Sequence, residues 1–250
     1  MACHGSVRRR RHRHHPPRGG LTLYTLHYAP DNASLIVRLT LEELRQPYRT
    51  QLVDRATRQQ KSAAYLRLNP SGLIPVLETP QGPLSETAAI LLWLTETHAA
   101  LAPQPGDPLR GPFLKWLFMV SNTLHADLRI VFYPQQYVGL DHEAMLALHA
   151  GVTGRLKGHF ALLEALVGQD WFGGAHPSIL DFYVAATLRW AALYAPMGAW
   201  FDLSDYPRLG SMALRLETRP SVLAAIQAEG LGPAPFTRPG PCNPPEGVAL

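Results

Sequence analysis

One stretch constrains this chain more than any other: Asn69-Pro70-Ser71-Gly72-Leu73-Ile74-Pro75-Val76-Leu77. A turn sequence feeds an apolar segment that reads as a strand, and a proline interrupts it. Proline donates nothing to a sheet ladder, so it belongs at a strand start, an edge or a bulge. There it leaves the N–H and C=O of Ile74 without ladder partners, and a cis bond accounts for a proline at this place. Free backbone groups at a strand entrance can pair with an extended, peptide-like ligand. Eight residues after Leu77 comes Ser85-Glu86-Thr87, a polar step into the apolar-periodic run 88–97. A helix N-terminus carries unpaired N–H groups that suit a carboxylate. Together the two features describe a site for a small peptide bearing a carboxylate.

The surrounding pattern divides in two. Leu21–Tyr24, Tyr48–Val53, Ile74–Glu78 and Pro83–Ser85 read as strands, the last two joined by a turn at Pro80-Gln81-Gly82. Helices are expected over Ala33–Leu44, capped by Asn32, and over Lys61–Arg67 and Thr87–Thr97. This β-α-β-α-β-β-α order is that of an α/β thioredoxin-like domain, placed at 21–101. The Pro/Gly-rich stretch 102–108 is a linker by composition. Beyond it an all-α helical bundle domain is expected over 109–231, with apolar spacing near 3.6 residues in Phe113–Leu128, Glu143–Val167, Ile179–Leu193 and Pro207–Glu217. Ser178 and Asp181 have the spacing of a capping box. Residues 232–250 are rich in Pro and Gly and are expected to fray.

Charge is unevenly spread. Residues 1–20 hold six arginines and no acid, and the remainder carries 17 basic against 19 acidic residues. The basic character therefore belongs to an N-terminal segment, read as a disordered tail. An Arg-rich run can bind nucleic acid, but an unstructured extension is the preferred reading here. His12, His14 and His15 lie in the same run with nothing to order them, so no metal site is expected. Apolar runs fall short of the roughly 20 residues that span a bilayer, and 46% hydrophobic with 17% charged residues is ordinary for a soluble protein. The two cysteines, Cys3 and Cys242, fall in the two terminal segments read as tails. That argues against a disulfide framework and agrees with a cytoplasmic setting. Any thiol chemistry must then use a sulfur supplied by the ligand.

The paired motifs, in this order, resemble the glutathione S-transferase family from about Leu21 to Glu229, with Pro177-Ser178-Ile179-Leu180-Asp181 similar to the capping segment of its helical domain. The resemblance implies that glutathione is the co-substrate. The Ile74 backbone, beside Pro75, would pair with its cysteinyl unit. Glu86 would face the γ-glutamyl ammonium and Thr87 its carboxylate, with Lys61 a candidate for the glycyl carboxylate. The segment 28–34 is similar to the bacterial beta-class pattern at Tyr28, Pro30 and Ser34, but Ala33 stands where that class has cysteine. Asp31 takes the serine position of other classes, where an ionised carboxylate would oppose a thiolate, and it is read as a helix cap. Candidate thiol donors are Tyr28, Asn32, Ser34 and His125, the last in Thr123-Leu124-His125, which also resembles the beta class. Trp116, Phe118, Phe132, Tyr133 and Tyr137 are candidates for an apolar co-substrate pocket. The implied activity is conjugation of glutathione to a hydrophobic electrophile by a cytoplasmic homodimer. A glutathione-dependent maleyl-type isomerase, drawing on Arg38, Arg129 or Arg189, and a non-catalytic glutathione-binding scaffold are the alternatives.

Overall fold

Burial of an interior strand, flanked by partners on both edges, sets the first layer. In the computed structural model, which describes residues 23–249, Tyr24, Leu26 and Tyr28 are buried along a strand running Tyr24–Tyr28 (β1). It pairs in parallel with Tyr48–Leu52 (β2) and antiparallel with Val76–Thr79 (β3), which in turn pairs antiparallel with Gly82–Ser85 (β4). The sheet order is β2-β1-β3-β4. The strand expected at Leu21–Tyr24 therefore begins where it was expected to end. The pairing explains the shift, because Tyr24 meets Tyr48 at one end of the ladder and Tyr28 meets Leu52 at the other. The Arg/His segment, Cys3 and the start of that expected strand lie outside the described residues.

Helices Ser34–Glu43 (α1), Ala63–Leu68 (α2) and Thr87–His98 (α3) complete a thioredoxin-like unit. A helical domain follows: Arg110–Met119 (α4), His125–Phe132 (α5), Gln135–Val138 (α6), His142–Leu166 (α7), Ile179–Leu193 (α8), Pro207–Glu217 (α9) and Pro220–Glu229 (α10). The single helix expected over Phe113–Leu128 is broken by a π turn at Val120–Leu124. The capping box at the start of α8 is present, with the Ser178 hydroxyl accepting from the Leu180 N–H and Asp181 accepting from the Ser178 N–H. Among the described residues no helix is long and apolar enough to cross a membrane.

What positions the site is the burial of α1. Its residues Ser34 to Leu41 are all buried, and it packs against α3 within its own domain and against α8 and α10 of the helical domain. Three ion pairs cross this contact: Asp31–Arg189, Arg38–Glu229 and Glu43–Arg219. The segment after α10 does not fray. Phe236 is buried, the Asn243 N–H donates to the Gly230 carbonyl, and the Tyr28 hydroxyl donates to Glu246. The segment turns at 233–238 and continues across the β1–α1 junction, and its Pro235 and Gly240 carbonyls meet the buried Arg189 guanidinium.

Candidate active site

The cleft between the domains encloses about 810 Å³. On the thioredoxin-like side its wall is built by two turns. Gly72, at φ +61°, ends the Asn69–Gly72 turn, and a Cβ there would come within 2.8 Å of the Lys61 Nζ and 2.9 Å of the Gln60 carbonyl. The close approach brings Lys61 to the cleft rim, where its ammonium donates to the Ser71 carbonyl at 3.2 Å. The Asn69 amide and the Tyr65 hydroxyl both donate to the Leu73 carbonyl, fixing the approach to Ile74. The Ile74–Pro75 bond is cis. Among the described residues neither the N–H nor the C=O of Ile74 has a hydrogen-bond partner.

Opposite that edge, α3 opens on Glu86 and Thr87. Glu86 sits at φ 68°, ψ 112°, a region that L-residues rarely occupy, and its exposed carboxylate makes no capping bond to its own helix. Thr87 is buried at the first helical position. Ile74, Pro75, Lys61, Glu86 and Thr87 thus line one cleft.

The candidate donors separate cleanly. Asn32 and His125 line the cleft, whereas Tyr28 and Ser34 do not. Tyr28 is buried beneath the Arg38 guanidinium and turned towards Glu246, and burial together with that carboxylate holds its hydroxyl proton firmly. The Ser34 hydroxyl is buried and committed to Ala29, donating to its carbonyl at 3.0 Å and accepting from its N–H at 3.3 Å. Asn32 does not cap α1. Its side-chain oxygen accepts from the adjacent Ala33 N–H, and the helix has no side-chain cap. The amide NH2 of Asn32 donates to no partner among the described residues, which leaves it available at the cleft. His125 lies between Trp190 and Tyr183, with Nδ1 2.9 Å from the Tyr183 hydroxyl. Burial, aided by Arg129, pushes its pKa down to about 4, so the ring is neutral near pH 7.

Asp31 also departs from expectation. Instead of capping α1 it is buried at φ 49°, and its two oxygens accept from Arg189, the Trp190 indole N–H and the Tyr194 hydroxyl. Arg189 in turn donates to the carbonyls of Leu231, Pro235 and Gly240. A carboxylate so paired presents no free charge to a thiolate.

On the helical side the π turn between α4 and α5 brings Ser121 and Asn122 to the cleft together with His125. Phe118, Phe132 and Tyr133 line it as expected. Trp116 packs against the core with Lys115 over its ring, and Tyr137 is exposed; both lie outside the lining. The sequence reading missed Arg55, Arg58, Asn122 and Gln136 as cleft residues. No local pattern marks them, because the cleft forms only when distant loops meet. Cys242 is half-buried behind Tyr194, outside the lining, and burial near Asp31 pushes its thiol up to about 11. No group of three potential metal ligands exists among the described residues.

Comparison with known proteins agrees with this geometry. The description "Glutathione S-transferase, N-terminal domain" matches residues 33–97, and its C-terminal counterpart matches 147–210. Glutathione S-transferase GST-4.5 of Xanthomonas campestris is 33% identical over 216 residues, covering 84% of this chain and all of that protein. A sphingomonad glutathione S-transferase solved in complex with glutathione superposes with a TM-score of 0.68 at 32% identity, covering 83% of this chain and 100% of the other. A beta-class enzyme from Sphingomonas chungbukensis gives 0.65 at 31% identity, covering 82% and 98%. The chain belongs to the glutathione S-transferase family.

Proposed function

We propose that this protein binds glutathione along the Ile74–Pro75 edge and transfers it, as the thiolate, to an electrophile held against the helical wall. One observation carries the reading: the unpaired Ile74 backbone, the uncommitted Glu86 carboxylate and Thr87 at the α3 N-terminus face a single cleft. The γ-glutamyl ammonium pairs with Glu86. Its carboxylate accepts from the hydroxyl and N–H of Thr87, where the helix end also favours negative charge. The Ile74 N–H and C=O pair with the cysteinyl amide, and Lys61 meets the glycyl carboxylate.

This pose brings the sulfur to the Asn32 side of the cleft. A free thiol has a pKa of about 8.5 and reacts as thiolate, so donors that stabilise the anion supply the catalysis. The Asn32 amide is the donor on this side. Neutral His125, with the Tyr183 phenol donating to its Nδ1, keeps its proton on Nε2 and is a second donor. The transfer is direct in this reading: Ala33 stands where the beta class has cysteine, and Cys242, the one cysteine among the described residues, lies outside the cleft. As in the family, the protein is proposed to work as a homodimer, which light scattering would check.

Calorimetry with glutathione tests the reading, with the ultraviolet thiolate band followed across pH on the same sample. Binding with the thiol pKa well below its free value supports the transferase. Binding with an unshifted thiol means a glutathione-binding protein without turnover. Absence of binding would refute the proposal.

A further inference from the structure

The helical wall of the cleft is not simply apolar. Phe118 and Phe132 line it, yet Arg129 stands on the same wall one helical turn beyond His125. Its only side-chain hydrogen bond among the described residues goes to the neutral Gln136 amide at 3.3 Å, and no described acid lies within ion-pair distance of it. The other two arginines considered from sequence as co-substrate cations are spent. Arg38 is buried against Glu229 and Arg189 against Asp31. A second guanidinium strengthens the field around Arg129. Arg55 donates to the Tyr133 hydroxyl at 2.9 Å, and Arg129 lies 6.0 Å from the centre of the same ring.

A count of charges within the cleft separates Arg129 from the glutathione anchors. Four cations line it, namely Arg55, Arg58, Lys61 and Arg129, against two acids, of which Asp31 is already paired. Glutathione brings two carboxylates and one ammonium. In the proposed pose Glu86 takes the ammonium, Thr87 one carboxylate and Lys61 the other, all from the thioredoxin-like domain. Arg55, Arg58 and Arg129 are left over, and of these Arg129 alone stands on the helical wall with Phe118 and Phe132.

We infer that the electrophile is a planar acid: an unsaturated or aryl body lies against Phe118 and Phe132 while its carboxylate pairs with Arg129. The inference rests on the transferase reading for the identity of the nucleophile. A guanidinium binds a carboxylate through two parallel N–H···O bonds, which fixes orientation as well as adding affinity. With an aryl chloride as substrate, the glutathione sulfur bonds to the ring carbon bearing chlorine. The C–Cl bond breaks, chloride leaves with the bonding pair, and the thiol proton has already gone to solvent. The ring carboxylate takes no part except to hold the ring in place.

The test compares a chlorodinitrobenzoate with its methyl ester, in wild type and in Arg129→Gln and Arg129→Lys variants, alongside glutathione binding by calorimetry. The expected result is preference of the wild type for the acid. Arg129→Gln should raise KM for the acid about ten-fold, the loss typical of one charge-assisted pair, while kcat/KM for the ester moves less than about two-fold and glutathione affinity is unchanged. Arg129→Lys should recover part of the loss. Equal loss on acid and ester, or a wild type that prefers the ester, overturns the inference, as does an Arg129→Gln variant that loses only glutathione. Binding of an unreactive nitrobenzoate is measured on the same proteins. If glutathione fails to bind but nitrobenzoate binds in an Arg129-dependent way, the transferase reading falls and the acid site stands. If nitrobenzoate binding is absent or indifferent to Arg129, the acid site falls.

Discussion

Arg189 grips both oxygens of Asp31, with Nε 2.8 Å from Oδ1 and Nη2 2.8 Å from Oδ2, across 158 residues of sequence and the junction of the two domains. Both side chains are fully buried. Removing one partner leaves the other charge stranded in low dielectric, which typically costs about 3–5 kcal/mol. Asp31→Ala and Arg189→Ala should each destabilise the protein by about that amount in urea titrations. Joint replacement by Asp31→Leu and Arg189→Met should recover a substantial part, since apolar pairs of similar volume often substitute for buried ions.

Glu86 combines a strained backbone with an uncommitted charge. A non-glycine residue in such a φ/ψ region costs of order 1–3 kcal/mol. Glu86→Gly should therefore raise the unfolding midpoint while weakening glutathione at least about ten-fold through loss of the ammonium partner. Glu86→Gln keeps the strain and should weaken binding without stabilising the fold. Calorimetric binding paired with thermal melts distinguishes the two variants.

Turnover with a neutral electrophile should single out Asn32 among the β1–α1 residues. Asn32→Ala is expected to raise the pKa of bound glutathione and to lower kcat about 100-fold, the lower range for loss of a preorganised donor. Tyr28→Phe should leave kcat within about two-fold, because that hydroxyl is turned to Glu246 and away from the cleft. Ser34→Ala should cost stability of about 1 kcal/mol rather than rate.

The pH dependence of stability carries the signature of His125. In the fold its pKa falls from the ordinary 6.5 to about 4, so below the unfolded value the unfolded chain takes up a proton that the folded protein refuses. Stability drawn from this group is complete above about pH 6.5. It falls by about 1.4 kcal/mol per unit as the pH drops towards 4. Urea melts at about pH 7.5 and pH 5 should show this slope in wild type and a shallower one in His125→Gln. Turnover should show no ionisation step near 6.5 that His125→Gln removes.

Local signals were legible in the sequence and long-range ones were not. The Asn69–Gly72 turn, the proline after Ile74 and the polar step into α3 are each written in a few adjacent residues, and the structure brings them to one cleft. The capping box at Ser178 is equally local. Asp31 defeated that reading because a carboxylate just before a helix looks like a cap, while its partners Arg189 and Trp190 lie on α8 and Tyr194 at its C-terminal cap. Arg129 was legible as a candidate but could not be told from Arg38 and Arg189 until their counter-ions were located. The 232–249 segment misled by composition. Pro and Gly usually mark loose chain, and here they shape a packed strap, turning at 233–238, whose carbonyls satisfy a buried arginine.

The three ion pairs along α1 have a consequence for cooperativity. Asp31, Arg38 and Glu43 stand before, within and at the end of one helix, and each finds its counter-charge in the helical domain. An isolated fragment ending at residue 101 would carry these three charges, two of them deeply buried, without their counterparts. The two lobes are therefore expected to melt in a single transition. A chimera that joins this thioredoxin-like half to another relative's helices would have to import matching residues at 189, 219 and 229 to fold at all.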